Sequence, residues 1–426
     1  MLLSAERWRS RLVLWAGSAA VGAMAVAFAK LADLSQLWQR RLLATSHWWP
    51  WLLAPVGFAL VSVLTRRYFR GAEGSGIPQT IFALEADAGE AGARAVASGL
   101  LRLRVALGRM LLAAVGLLCG GSIGREGPSV HVGAIITRWL GRFMPGGGTP
   151  AQRHALVLAG GAAGVAAAFN TPIAGIVFAI EELSHSFEER ASGATLTAVI
   201  LAGVFAIAVV GDYTYFGQPR LATVPGAFDA VTLSVAIAGG LAGGLFSRLA
   251  LAGVQGLPWI AGTLQRGRPW LFAGICGVLV AGIGAASGQL TYGTGYTEAR
   301  AILESNAHLP WFYAPARALA TLLAFLSGIP AGVLSPSLSV GAGLGQFIAD
   351  LGREPAAVPF AILGMCGYLA GVTQAPLTSL VIVMEMTTQH AMVLPLMITA
   401  AVATAVSKLL TPPLYRTLAA RYAPRS

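Results

Sequence analysis

Long uncharged apolar segments limit how this chain can fold. Residues 12–29, 191–211 and 271–290 contain no Asp, Glu, Lys or Arg. Each is close to the roughly 20 residues that an α-helix needs to cross the hydrocarbon core of a bilayer. Only 11% of the chain is charged and 56% is hydrophobic, which leaves too little polar surface for a water-soluble globule. The sequence therefore predicts an all-α membrane protein with many membrane segments.

The formal net charge is +11, and the basic residues cluster beside apolar segments. Two such clusters are Arg7, Arg9 and Arg11, and Arg66, Arg67 and Arg70. Under the positive-inside rule this placement favours a cytoplasmic N-terminus and a cytoplasmic loop at 66–70. It explains the charge without a nucleic-acid partner. The N-terminal segment could also be a signal peptide, but the apolar segments that follow directly favour a first transmembrane helix.

The three cysteines show no paired spacing. Cys119, Cys276 and Cys366 lie among Gly, Leu, Ile and Met. This pattern predicts packing residues and gives no indication of a metal set or a disulfide framework.

A repeat is visible across the two halves of the chain. Residues 124–134 and 332–342 both have the pattern G-x-x-x-P-S-x-x-V-G-A. A second pair follows at nearly the same offset, because Pro172 and Glu181 correspond to Pro376 and Glu385. Internal repeats are typical of secondary transporters, whose sites lie where interrupted helices of both halves meet. We predict one domain built from halves of about 12–211 and 221–415; the sequence alone does not show whether they are inverted.

Three short segments have the residue types of a helix start. They are 74–78 (GSGIP), 124–128 (GREGP) and 332–336 (GVLSP). The first N–H groups of a helix lack partners and carry partial positive charge, so helix starts bind anions. Within a membrane, irregular backbone is tolerated where it is buried in protein or lines a cavity. The three segments together predict a site for a small anion.

These motifs, with the late Tyr415 in "PPLYRTLA", resemble in order and spacing those of the CLC family of chloride channels and chloride/proton antiporters. The segment at 332–336 resembles the family's G-x-F-x-P motif. The resemblance covers nearly the whole chain from about residue 12 to 415. It implies a homodimer with one anion pathway per subunit, built from inverted halves of tilted and often partial helices.

The resemblance also implies the roles of individual residues. The hydroxyls of Ser75 and Tyr415 would hold a central anion, together with the backbone N–H groups of Val333 and Leu334. Glu126 would be the gate, occupying an anion position when ionised and leaving it when protonated. The anion-binding set implied in this way is Ser75, Gly76, Ile77, Arg125, Gly127, Val333, Leu334 and Tyr415.

Two members of that set have alternative interpretations. Arg125 would lie near the outer anion path, although a purely structural ion pair is an alternative for this residue. Tyr415 could instead be an interfacial aromatic residue at a helix end, because Arg416 adjoins it.

Proton coupling depends on Glu182 in "IEEL". The family's antiporters carry a glutamate at this position, and its channels usually carry an apolar residue. Glu182 therefore favours an antiporter, with a passive chloride channel as the alternative, and Glu181 is predicted to be structural. Glu182 could also be a cytoplasmic charge at a helix end, and the spacing of Glu182 and His185 is also found in di-iron bundles. A second Glu-x-x-His segment is missing from the sequence.

Two positions depart from the family pattern. Leu334 replaces the usual Phe, which keeps the backbone N–H but changes the lining of the pore. Gln79 stands where many relatives have an acid, which bears on the inner proton route. Ser75 favours chloride and similar monovalent anions, because nitrate-preferring relatives carry proline there.

An intramembrane enzyme using Glu126 as a base is disfavoured, because no nucleophile, base or metal set accompanies it. We expect neither enzymatic activity nor a cofactor, with chloride bound as the transported ion. Further expectations are a multi-pass protein of a bacterial inner membrane with both termini cytoplasmic, and no regulatory domain after Tyr415.

Overall fold

The computed structural model describes residues 5–86, 91–147, 149–184, 193–211, 215–219, 221 and 223–424. Nineteen α-helices and no β-strand occur within these residues, which confirms the all-α prediction. The helices are α1 (Ala5–Thr45), α2 (Trp49–Tyr68), α3 (Ile77–Ala86), α4 (Ala91–Leu100), α5 (Leu103–Leu118), α6 (Glu126–Leu140), α7 (Pro150–Phe169), α8 (Pro172–Phe178), α9 (Gly193–Val210), α10 (Ala230–Gln255), α11 (Trp259–Gly267), α12 (Pro269–Ala286), α13 (Tyr296–Ser305), α14 (Tyr313–Leu326), α15 (Leu334–Leu351), α16 (Val358–Thr373), α17 (Pro376–Thr387), α18 (Val393–Lys408) and α19 (Leu414–Ala419).

Long helices and partial helices alternate in this fold. Five helical segments are long and apolar enough to cross a membrane, in α1, α2, α10, α12 and α18. Others are much shorter, such as α3 with 10 residues and α8 with 7. Helix α1 continues well past the predicted apolar segment 12–29 and includes Lys30 and Asp33. The predicted mixture of spanning and partial helices is present.

The two halves pack their central helices in the same way. Helix α6 packs on α7, and α15 packs on α16. A Cβ added at Gly133 would lie 2.2 Å from the carbonyl oxygen of Gly160, and one at Gly341 would lie 2.3 Å from that of Gly364. Small residues let membrane helices approach this closely, since their association depends on packing. The aligned glycines of the repeat therefore have matching structural roles.

The two halves also end and restart their helices alike. Helix α7 ends at Asn170 with φ of +57°, and α16 ends at Gln374 with φ of +59°. A proline then opens the next helix, Pro172 in α8 and Pro376 in α17. A left-handed residue ends a helix and a proline suits the first turn of a new one. The sequence pairing of these two prolines is thus a pairing of two interrupted helices.

Two glutamates, one from each half, each accept hydrogen bonds from the start of a helix in the other half. The Glu181 carboxylate accepts hydrogen bonds of 3.1 and 2.6 Å from first-turn N–H groups of α17. The Glu385 carboxylate accepts bonds of 3.1 and 2.8 Å from first-turn N–H groups of α8. Because each glutamate follows its own helix start and binds the start of the other helix, α8 and α17 run antiparallel. The halves are inverted, and Glu181 has the structural role that the alignment predicts.

The cysteines have the surroundings expected of packing residues. Cys119, Cys276 and Cys366 are all buried free thiols. Cys119 and Cys276 belong to one apolar cluster, and Cys366 belongs to another.

Candidate anion site

The three predicted helix starts meet at one place. Gly124 N–H donates to the Gly332 carbonyl at 2.7 Å, and Gly332 N–H donates back at 3.2 Å. Gly74 is bonded in the same way to Ile329 and Ala331, with both distances 3.1 Å. These bonds join the segments that precede α3, α6 and α15. The starts of three helices, with their unpartnered N–H groups, are thereby brought together inside the protein.

Glycine permits the closest approach within this cluster. A Cβ added at Gly127 would lie 2.6 Å from Ser75 Oγ, a distance that side chains do not tolerate. Gly76 has φ of +97°, a conformation that glycine adopts without strain. Ile77 begins α3 and is fully buried. Gly76, Ile77 and Gly127 therefore shape the space around Ser75.

Two hydroxyl groups face each other beside this space. Ser75 and Tyr415 are both buried, and the Tyr415 phenol is directed toward the Ser75 hydroxyl. Apart from this mutual approach, neither oxygen has a hydrogen-bond partner within the described residues. A buried hydroxyl without a partner is costly, so these two groups are donors suited to a ligand. Tyr415 lies inside the protein, so its alternative as an interfacial aromatic is wrong.

Glu126 is completely buried at the first position of α6. Its Oε1 accepts a 2.5 Å hydrogen bond from the hydroxyl of Ser335, in the first turn of α15. Its Oε2 has no partner among the described groups and lies against Gly124. The carboxylate is therefore seated between two helix starts, where partial positive charge favours an anion. The role of Glu126 as a gate stays a prediction.

Arg125 precedes Glu126 and caps α6. Its Nε is 3.9 Å from a Glu126 carboxylate oxygen, and one of its terminal nitrogens is 3.4 Å from the carboxylate of Asp33. It also lines a cavity of about 600 Å³, together with Lys30 and Arg40. Arg125 thus makes structural ion pairs and also borders a cavity that contains two other basic residues. Its place near an anion path stays a prediction.

Val333 and Leu334 supply the third helix start. Val333 caps α15 and Leu334 is its first residue, and both are buried. First-turn N–H groups have no acceptor within their own helix. Both residues thus lie at the helix start where the sequence places backbone donors, and their role in binding an anion stays a prediction.

Glu182 is a second acid near Tyr415. It is part of a π-helical turn at Ala179–Leu183 that continues α8, and it is buried rather than projecting from a helix end. The charges of both Glu182 and Glu126 act on the Tyr415 phenol. Two acids therefore lie within electrostatic range of one central hydroxyl. His185, the partner considered for a metal motif, lies outside the described residues.

The comparisons with known proteins agree with this geometry. A family model described as voltage gated chloride channel matches residues 57–408. The chain belongs to this family. It is 33% identical over 395 residues to the H(+)/Cl(-) exchange transporter ClcA of Cronobacter sakazakii, covering 88% of this chain and 80% of that protein.

Two further similarities extend this picture. A protein of Ralstonia nicotianae whose name likens it to the chloride channel protein ClcB is 29% identical over 401 residues, covering 88% of this chain and 89% of that protein. The crystal structure of a slow cyanobacterial Cl-/H+ antiporter superposes with a TM-score of 0.81 at 23% identity, covering 97% of both chains. That likeness shows that the fold is shared.

The two residues that depart from the family pattern are both buried. Gln79 is buried in α3, and its amide donates to the Glu73 carbonyl at 2.6 Å. It therefore fixes the segment that leads to Ser75 and carries no titratable proton. Leu334 is buried at the start of α15. An apolar side chain thus adjoins the anion position there.

Two arginines that hold the helix starts were missed from the sequence. Arg109 and Arg317 are fully buried and differ by 208 positions, the offset of the first repeat match. Arg109 donates to the carbonyl of Gly74 at 2.8 Å, and Arg317 donates to that of Gly293 at 2.8 Å. The shared offset was the signal that could have identified them. Ser335, the partner of Glu126, lies inside the GVLSP motif and was also missed.

Proposed function

We propose that this protein exchanges chloride, and similar monovalent anions, for protons across a membrane. The observation that carries the proposal is the position of Glu126. Its buried carboxylate lies at the helix starts that adjoin the unpartnered hydroxyls of Ser75 and Tyr415. A carboxylate in such a place and a chloride ion compete for the same donors.

The competition couples the two ions. When Glu126 is ionised, helix-start N–H groups and the Ser335 hydroxyl stabilise it, and the adjoining anion position is blocked. When Glu126 is protonated, that attraction is lost and chloride takes the donors. Protonation of one group thus accompanies movement of the anion, which is the requirement for exchange.

The central anion would be held by uncharged donors. Ser75 and Tyr415 offer hydroxyl hydrogens, and the N–H groups of Val333 and Leu334 offer a helix start. Donors without a full charge bind a halide firmly enough for it to enter and weakly enough for it to leave. Arg125 would attract anions at the outer cavity, where its charge is shared with Asp33.

Glu182 would carry the proton on the inner side. Its charge and that of Glu126 both act on the Tyr415 phenol. Gln79 cannot take part as an acid, so Glu182 is the buried acid available for this route. The relatives named as H(+)/Cl(-) exchange transporters support coupling over passive conduction.

A passive chloride channel is the second candidate, supported by the relative whose name likens it to a channel. Paired chloride and pH electrodes on liposomes containing the purified protein distinguish the two. An outward chloride gradient should drive protons inward, and the pH trace should reverse when the chloride gradient is reversed. A chloride flux that leaves the pH unchanged would establish the channel and exclude exchange.

The same proposal includes a homodimer in a bacterial inner membrane, with both termini cytoplasmic. Apolar residues are exposed on neighbouring helices of both halves and would be covered by a second copy of the chain or by lipid, among them Ile173 on α8, Ile200 on α9, Leu377 on α17 and Leu394 on α18. Light scattering of the detergent-solubilised protein tests it. A particle with the protein mass of two chains supports the homodimer, and the mass of one chain contradicts it.

A further inference from the structure

Arg416 connects the anion site to the proton route. It follows Tyr415 on α19, and its guanidinium donates to the backbone carbonyl of Glu181 at 3.3 Å. Successive side chains on a helix differ in direction by about 100°. Tyr415 is therefore directed into the anion site while Arg416 reaches the turn that carries Glu182.

The guanidinium places a positive charge next to the turn that carries Glu181 and Glu182. Glu182 is buried, which disfavours its ionised form, and the nearby charge of Arg416 opposes that effect. A positive charge within a few ångströms stabilises the ionised form of a carboxyl group. Arg416 itself is only partly buried, so solvent weakens this effect without removing it.

The other groups that act on Glu182 are few. Within the described residues they are Glu181 on the same turn and Tyr415 on α19. The carboxylate of Glu181 is already bonded to the start of α17. The charged side chain of α17, Glu385, is directed to the start of α8. Arg416 is therefore the cation that opposes Glu181 at this position.

We infer that Arg416 is a positioning residue for proton transfer. It is held on the Glu181 carbonyl, from where its positive charge favours the ionised form of Glu182. This inference rests on the exchange function proposed above. It adds a link between the helix that carries Tyr415 and the acid that carries the proton.

The test uses the full-length protein in liposomes at equal pH on both sides, with a chloride gradient as the driving force. The initial proton flux is measured against pH for wild type and Arg416→Gln. Without the positive charge, Glu182 retains its proton to higher pH. The midpoint of the proton-flux profile should therefore move upward, by about one pH unit. An unchanged midpoint overturns the inference.

Three further variants separate charge from structure. Arg416→Lys keeps the charge, so the midpoint of its proton-flux profile should lie close to that of the wild type. Arg421→Gln removes an exposed arginine from the same C-terminal segment and should leave the profile as in wild type. In a Glu182→Gln background, adding Arg416→Gln should leave the pH dependence of the residual chloride flux unchanged, because the acid on which the charge acts is gone.

Each contrary result has a definite meaning. If Arg416→Lys matches Arg416→Gln, the charge is not the cause and the inference fails. If Arg416→Gln changes the chloride-flux profile equally with and without Glu182, Arg416 acts through Tyr415 or the fold, and the inference also fails. A wild-type protein that moves no protons would overturn the exchange function itself, so that measurement comes first.

Discussion

The segment 74–76 (Gly-Ser-Gly) precedes α3, and the segment 293–295 (Gly-Thr-Gly) precedes α13. The last glycine of each has positive φ, +97° at Gly76 and +85° at Gly295. A buried arginine of a later helix donates a hydrogen bond to a carbonyl of each segment. This arginine is Arg109 of α5 in the first half and Arg317 of α14 in the second. The two halves thus have the same backbone arrangement before a helix start, in inverted orientation.

The two helix starts differ in which groups accept hydrogen bonds from their donors. In the first half, the hydroxyls of Ser75 and Tyr415 approach each other and have no other partner among the described residues. In the second half, the N–H and hydroxyl of Thr294 both donate to the Gln36 side-chain oxygen, at 3.3 and 3.5 Å. A protein oxygen therefore occupies the place where an anion would be bound.

Additional side chains fill the second helix start. The hydroxyls of Tyr313 and Ser339 are 2.5 Å apart, and Ser339 donates to the Gly295 carbonyl at 2.8 Å. Polar groups that satisfy one another stabilise the fold and have little affinity left for a ligand. A helix start therefore becomes an anion site when its neighbours leave donors free.

The largest expected effect comes from Glu126→Gln. The amide resembles a protonated gate and cannot release a proton, so proton transport should be lost while chloride flux persists. Paired chloride and pH electrodes on liposomes measure both. The matched control is Glu298→Gln at the second helix start, where the acid lies 3.7 Å from Arg317. Proton pumping by Glu126→Gln, or loss of coupling in Glu298→Gln, would contradict the contrast between the halves.

Glu182→Gln should also abolish proton movement, because the inner route loses its titratable group. Chloride flux should remain within the range of the wild type, since the anion donors are untouched. The neighbouring Glu181→Gln is the control and should keep the ratio of protons to chloride. Equal loss of coupling in both variants would show that the turn, and not the Glu182 proton, is responsible.

Ser75→Ala and Thr294→Val compare the two helix starts directly. Ser75→Ala removes a donor to an anion, a contribution of about 1.5 kcal/mol or more, so chloride affinity should fall about tenfold. Thr294→Val removes a hydroxyl that is already satisfied by Gln36, so chloride affinity should not change. Isothermal titration of chloride into the detergent-solubilised protein measures both. Equal weakening would mean that both helix starts bind the ion.

The smallest effect is expected from the reciprocal helix caps. Glu385→Gln and Glu181→Gln each weaken two charge-assisted bonds to a helix start and should each lower stability by about 1 kcal/mol. The inverted symmetry requires the two losses to be similar. Thermal unfolding of each variant in detergent checks this. A loss of stability confined to one glutamate would show that the two caps do not stabilise the halves equally.

Much of the architecture could be predicted from local pattern. Apolar segments of the right length indicate membrane helices, and the spacing of Pro172 and Pro376 indicates interrupted helices in both halves. The three Gly- and Pro-containing motifs indicate helix starts, and the structure brings them together. Glu181 was assigned a structural role from its alignment with Glu385 alone.

Other parts of the site could not be predicted in this way. The hydrogen bond from Ser335 to Glu126 joins residues 209 positions apart, and no local pattern specifies such a contact. Gln36 meets Thr294 across 258 positions. The sequence places Arg416 only next to Tyr415, since its contact with the Glu181 carbonyl depends on how α19 packs.

Sequence information alone is enough to specify the membrane setting, the repeat and the residue types of the anion site, because these depend on hydropathy and on backbone preferences that act over a few residues. Which helix start is left open is settled only by tertiary packing. That choice depends on whether a distant side chain supplies an oxygen to the N–H and hydroxyl donors, as Gln36 does for Thr294 and as no described residue does for the hydroxyl of Ser75.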